Sequence, residues 1–231
     1  MINTKKIEEL KYFQKDWWFD QNNPDSYSYF DLNSLYDQDY FKHDHLGPDI
    51  SQKILDLMKL YFNRITSKEL NSILELGSAA GWVTEVLVKN GVSVQGVEGS
   101  PVGYNKCVDR GLSEIVINHD LRLPLNFNKK YDFCLCTEVA EHIEPTFTSA
   151  LISNIINHSD LVWFSYNSTD GHHHHSNCQP QKFWNNIFDF FNYGVLYTKK
   201  EYKQSLNHRL DCIFYNKSVF GELNENLLIN I

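Results

Sequence analysis

The tract Glu138-Val-Ala-Glu141-His142 puts two carboxylates and an imidazole directly after an apolar run, Asp132 to Thr137, that reads as a strand. Side chains leaving a strand end at this spacing can converge on one point. Carboxylates suit Mg²⁺ or Mn²⁺, and imidazole tolerates Mn²⁺, Fe²⁺, Co²⁺ or Zn²⁺ better than Mg²⁺. The same tract also reads as a strand-to-helix turn whose acids and histidine only cap and brace. A second constellation runs from Asn71 to Pro101. Gly77-Ser-Ala-Ala-Gly81 is a tight turn of small residues, and Glu98 stands at the end of a following apolar run. Strand, glycine turn, helix and strand in that order offer backbone N–H groups and a helix N-terminus to a ligand, while the acid can accept bonds from a ribose diol. This stretch binds a nucleoside-containing cofactor.

The elements that must position these groups follow from pattern. Ile73 to Leu76, Val92 to Val97, Glu114 to Asn118, Asp132 to Thr137 and Leu161 to Tyr166 read as strands, with further strands at Gly194–Tyr197 and Cys212–Tyr215. Helices are predicted for Asp49 to Phe62, Trp82 to Val88, Pro101 to about Arg110, Pro145 to Asn157 and Pro180 to Phe190. Strands alternating with helices imply a mostly parallel sheet covered on both faces. Residues 1–48 have no clear period and are rich in aromatics and acids, which predicts an N-terminal cap or lid lying over the domain of residues 49–231.

At 231 residues with a formal charge of −8, the chain has no general attraction for nucleic acid. Met1 to Leu10 lacks a secretory apolar core, and no apolar run approaches a membrane span. The cysteines at 107, 134, 136, 178 and 212 show no paired zinc spacing, so the expectation is reduced thiols in a cytoplasmic protein without a membrane partner.

Which cofactor the turn takes is indicated by its prefix. A dinucleotide fingerprint would read G-x-G-x-x-G, whereas this chain has Glu75 in LELG followed by Gly77-x-x-x-Gly81. That block resembles the class I S-adenosylmethionine methyltransferases, and the resemblance continues in order through GVEGSP at Glu98, His119-Asp120-Leu121 and YDFCLCTEVAEH. It covers about residues 50–200. The resemblance implies an α/β, doubly wound, mostly parallel seven-stranded sheet with its last strand antiparallel. It also implies S-adenosylmethionine held by Glu75, Gly77, Ser78, Ala79, Gly81, Glu98, Gly99, Asp120, Leu121 and Thr137. For Asp120 the residues alone leave a helix or turn cap open beside an adenine contact. For Trp82 they leave core packing open beside a place flanking the cofactor.

The E-x-x-E-H tract also resembles the metal-binding block of the small-RNA 3′-terminal 2′-O-methyltransferases and of the ubiquinone-pathway O-methyltransferases. In the RNA enzymes a further histidine follows the fifth strand, and His175-Ser-Asn-Cys-Gln-Pro-Gln-Lys-Phe-Trp184 stands in the matching place. The implied metal ligands are Glu138, Glu141, His142 and His175, holding Mg²⁺ or Mn²⁺. His142, His174 and His175 are the candidate proton acceptors. Unlike the RNA enzymes, this chain has no basic run beyond Lys199-Lys200. Its aromatic and acidic N-terminal tract suits a pyranose, with ring faces on C–H faces and carboxylates on hydroxyls. Two tracts also loosely resemble sugar-modifying methyltransferases. The expected reaction is therefore methylation of a sugar hydroxyl on a glycan or nucleotide-sugar. The rivals are a terminal RNA ribose, a catechol-like acceptor, or a catalytically silent cofactor-binding module.

Overall fold

The central strands are short, mostly apolar runs whose alternate residues feed two separate cores. In Leu161–Tyr166 (β5), Leu161 and Trp163 join one cluster, while Val162, Phe164 and Tyr166 join the other. The period of two in a strand sends successive side chains to opposite faces, so an unbroken apolar strand is one buried on both sides. The computed structural model describes residues 32–43, 47–168, 175–198 and 210–228. The remaining strands are β1 (Ser72–Leu76), β2 (Ser93–Glu98), β3 (Val116–Asn118), β4 (Phe133–Cys136), β6 (Tyr193–Tyr197) and β7 (Leu210–Asn216). They form one seven-stranded sheet in the order β3-β2-β1-β4-β5-β7-β6. Strands β1 to β5 pair in parallel, and β7 is antiparallel to both β5 and β6. This is the expected doubly wound, mostly parallel seven-stranded sheet, with its last strand antiparallel.

The helices are α1 (Leu32–Leu35), α2 (Pro48–Thr66), α3 (Trp82–Lys89), α4 (Pro101–Asp109), α5 (Thr148–His158), α6 (Gln181–Phe190) and α7 (Lys217–Phe220). α2 and α3 cover one face through Leu55, Met58, Val83 and Leu87. α5 and α6 cover the other through Leu151, Ile155, Trp184 and Phe188. Trp184 is fully buried there, 5.1 Å from the Phe164 ring and 5.8 Å from that of Tyr166, so it is a core residue. Pro145, expected to open a helix, instead opens a 3₁₀ turn (Pro145–Phe147), and α5 starts at Thr148.

Two features of this frame set the site. Strand order reverses between β1 and β4, because the chain moves outward through β2 and β3 before returning on the other side of β1. The C-terminal ends of β1 and β4 therefore border a crevice that no crossover covers. Among the described residues no helix is long and apolar enough to cross a membrane. No disulfide joins the five cysteines, and burial pushes the Cys134 and Cys136 thiols up, which keeps them inert.

Candidate active site

The turn after β1 is held in left-handed backbone, with φ of 80° at Gly77, 50° at Ala79 and 79° at Gly81. A Cβ on Gly77 would come within 2.4 Å of Val139 Cγ2, so only glycine lets the segment after β4 approach this closely. The expected array of open amides is not what the turn presents. The N–H groups of Gly77 and Ser78 donate to the Val97 carbonyl, at 2.8 and 3.0 Å, and that of Gly81 donates to Ser78 O at 2.8 Å. The Ala79 N–H donates to Glu98 Oε2 at 2.7 Å. With these donors taken, the turn offers close approach rather than an anion hole, which suits a nucleoside lacking phosphates.

Glu75 sits beneath the turn, not in the cleft. Strand alternation puts it on the α3 face with Ile73, where the hydroxyls of Ser78 (3.3 Å) and Thr84 donate to its carboxylate. Burial pushes its pKa up to about 7 from 4.5, against the lowering effect of the two hydroxyls. Its folded pKa exceeds its unfolded one. The stability it contributes is therefore full below about 4.5 and lost as pH rises through about 7. Glu75→Gln, which keeps an acceptor but not the charge, is expected to flatten the fall in melting temperature over that window. An unchanged slope would count against this account. Arg110 braces the outside of the turn, donating from Nε to Ala80 O at 2.6 Å and stacking 3.3 Å over Trp82. Trp82 thus supports the turn from outside and does not line the cleft.

Glu98 closes β2. Its Oε1 accepts from the Ser100 N–H at 2.8 Å, and burial pushes its pKa up to about 7. The carboxylate keeps a lone pair for a ligand hydroxyl. Asp120 lines the cleft and also caps its own turn, accepting from the Arg122 N–H at 2.9 Å. The buried Arg122 guanidinium grips the same carboxylate, at 2.7 Å from Nη2 to Oδ2, and reaches Glu144 Oε1 at 2.9 Å.

After β4, Glu138 adopts φ 55° and Ala140–His142 form a 3₁₀ turn. The Ser176 and Asn177 N–H groups donate to the Glu141 carbonyl at 2.9 and 3.0 Å. This clamp brings His175, from the segment beyond β5, against the turn. The His142 and His175 rings lie 4.7 Å apart, edge to face. One ligand atom each from Glu141, His142 and His175 fall within 4.8 Å of one another. Glu138 stands outside this group, its Oε1 accepting from Ser165 Oγ at 2.9 Å. His174 lies outside the described residues.

The cleft brings together Gly77, Ala79, Glu98, Gly99, Asp120 and Leu121 on one side and Glu138 and His142 on the other. Ser78, Gly81 and Thr137, like Glu75, do not line it. Leu32, Tyr36, Tyr40 and Phe41 do, as does Ser100. No spacing singled these out; for Leu32, Tyr36, Tyr40 and Phe41 the aromatic content of residues 1–48 was the signal.

A family model described as "Methyltransferase domain" matches residues 46–198. Among solved structures, an S-adenosylmethionine-dependent methyltransferase from Clostridium acetobutylicum ATCC 824 superposes with a TM-score of 0.60 at 14% identity, covering 79% of this chain and 96% of that one. The plantazolicin methyltransferase BpumL, in complex with a pentazolic desmethylPZN analog and SAH, gives 0.57 at 15% identity, covering 92% and 98%. The methyltransferase domain of bacterial CtHen1-C gives 0.54 at 14% identity, covering 73% and 97%. At these identities the likeness speaks for the fold. No curated protein matches the sequence.

Proposed function

The chain belongs to the methyltransferase domain family, and on that premise we propose that it moves a methyl group from S-adenosylmethionine to a sugar hydroxyl of a glycan or nucleotide-sugar. The observation that carries the chemistry is the convergence of Glu141, His142 and His175, with His142 lining the cleft that the glycine turn and Glu98 also line. A carboxylate with two imidazoles is a donor set fitted to a divalent cation, Mn²⁺ better than Mg²⁺. When bound, such an ion lowers the pKa of a hydroxyl and orients it. In the transfer the S–CH₃ bond breaks as the O–CH₃ bond forms, and the hydroxyl proton must leave.

Each residue has a part in this reading. Gly77 and Ala79 let the donor lie against backbone, and Glu98 accepts its ribose hydroxyls. Asp120, fixed by Arg122, faces the adenine side. Glu141, His142 and His175 hold the cation, with Glu138 near the acceptor. The proton passes to a nearby imidazole, His174 being the candidate that is not also a cation ligand. The tyrosines and acids around the cleft, and a net charge of −8, favour a neutral polyol over a polyanion. A second reading keeps the donor and the cation and takes the cis-diol of a terminal RNA ribose or a catechol, since the same chelation serves both. A silent module would have no use for the three converging ligands.

Titration calorimetry with S-adenosylhomocysteine tests the donor site. Burial pushes the Glu98 pKa up to about 7, and ligand hydroxyls bond more strongly to the ionised carboxylate than to the protonated acid. Affinity should therefore rise with pH up to about 7 and level off above, with proton release on binding. Glu98→Gln should bind weakly at every pH. No heat at any pH would sink the donor assignment, and pH-independent affinity would remove Glu98 from it. A panel of free and linked sugars, nucleosides and short RNAs with labelled S-adenosylmethionine then separates the acceptors.

A further inference from the structure

The family match begins at residue 46, yet one wall of the cleft is built by residues before it. α1, the link after it and the 3₁₀ turn Tyr40–His43 carry Leu32, Tyr36 and Phe41 in turn over the ends of β1 and β4. Their seats all lie on the stretch that follows Glu98. Phe41, 6% exposed, fills a hollow over Gly103, where an added Cβ would come within 2.8 Å of its Cζ and 3.0 Å of the Glu98 carboxyl carbon. Leu32 rests on Gly99, where a Cβ would lie 3.2 Å from its Cδ1. The Ser100 hydroxyl, which caps α4, donates to the Tyr36 carbonyl at 2.9 Å. Lys106, one turn beyond Gly103, sits 6.0 Å over the Phe41 ring.

These anchors fix Tyr36 in a defined place. Its ring is 5.7 Å from that of His142, edge to face. Its ring also packs edge to face on that of Tyr40, 5.0 Å away. Tyr36 therefore stands between the acid at the donor end of the cleft and the Glu141–His142–His175 group.

Beneath the segment the cleft is open to solvent on one side, so a ligand entering it lies against Leu32, Tyr36 and Phe41. We infer that Leu32, Tyr36 and Phe41 form the fourth wall of the methyl-donor site, so that seating of residues 32–41 and binding of an adenosyl ligand are one coupled equilibrium. The inference rests on the S-adenosylmethionine reading, and it adds binding residues outside the family domain. Glycine at 99 and 103 is then part of the binding site, because a side chain at either position would unseat the wall.

Two measurements with S-adenosylhomocysteine test it on the full chain. The first is affinity by calorimetry for wild type, Phe41→Ala and Gly103→Val. Both variants are expected to bind about tenfold to a hundredfold more weakly. The second is limited trypsin digestion. Lys42 is the sole lysine or arginine between Lys15 and Lys53, so cleavage after it reports the segment. Saturating ligand should slow that cleavage in wild type and not in Phe41→Ala. Affinity in Phe41→Ala equal to or tighter than wild type, or equal cleavage with and without ligand, would overturn the inference. Gly103 lies in a helix, so its variant can fail by misfolding; Phe41 lies off the sheet and keeps the test decisive. If wild type itself gives no heat with the ligand, the donor reading falls first and takes the inference with it.

Discussion

Chelation of divalent cations, or the substitution Glu141→Ala, is expected to abolish methyl transfer while S-adenosylhomocysteine still binds. The two effects separate because none of the three ligands belongs to the glycine turn or to Glu98. Glu141 and His142 come from one 3₁₀ turn after β4, and His175 comes from the segment beyond β5. Two N–H bonds to the Glu141 carbonyl hold the stretches together, so the cluster is built by the backbone before any ion arrives. Loss of the Glu141 or His175 side chain leaves that clamp intact and removes one ligand. Mn²⁺ titration should then show affinity reduced by roughly a hundredfold or more, since changes merely adjacent to metal ligands already cost 10- to 100-fold. Mn²⁺ should restore chelated enzyme better than Mg²⁺, because two of the three donors are imidazoles. Glu138→Ala should cost less metal affinity, its carboxylate being engaged by Ser165 and outside the 4.8 Å group. Undiminished transfer in excess EDTA would remove the cation from the reaction.

Most of the sheet could be read in advance because β4 and β5 are short runs buried on both faces, while β1 ends at a glycine and β2 at an acid. Leu161 to Tyr166 has the expected bounds, and the glycine turn and Glu98 fall at the ends of β1 and β2. What the turn does with its amides could not be read. Their partners are the carbonyl of Val97 and the carboxylate of Glu98, brought near only by the β1–β2 register. Glu75 follows the same logic. Its place in LELG marks the family block, but strand alternation sends it to the α3 side. The wall made by Leu32, Tyr36 and Phe41 escaped as a set of residues because its contacts run to Gly99, Ser100 and Gly103, far along the chain, and the tract has no period. Of the four residues put forward as ligands, three converge. Glu138 differs because φ 55° and the bonds to Ser165 turn it toward β5.

Arg122→Met should be among the most damaging single substitutions outside the cation group. The guanidinium, 2% exposed, is shared between Asp120 at 2.7 Å and Glu144 at 2.9 Å, whose side chains are 15% and 4% exposed. Methionine fills much of the volume but leaves two carboxylates close together with no cation between them. Removing one partner from a buried pair costs about 3–5 kcal/mol, which in a domain of this size lowers the melting temperature by roughly 10 °C. The deficit should shrink as pH falls, because protonating either acid relieves the repulsion; wild type, with its ion pairs intact, gains nothing comparable. Asp120 forms part of the cleft wall and Glu144 lies two residues beyond His142. The variant should therefore lose affinity for S-adenosylhomocysteine and for Mn²⁺ together, even well below its melting temperature. A purely structural arginine would lower stability and leave both affinities of the folded fraction unchanged. Adding Glu144→Gln to Arg122→Met makes the distinction sharper. It removes the second charge and should recover part of the stability, while Asp120, still without its fork, continues to bind the donor poorly. Full recovery of donor affinity in that double variant would show that Arg122 does not position Asp120 for the ligand.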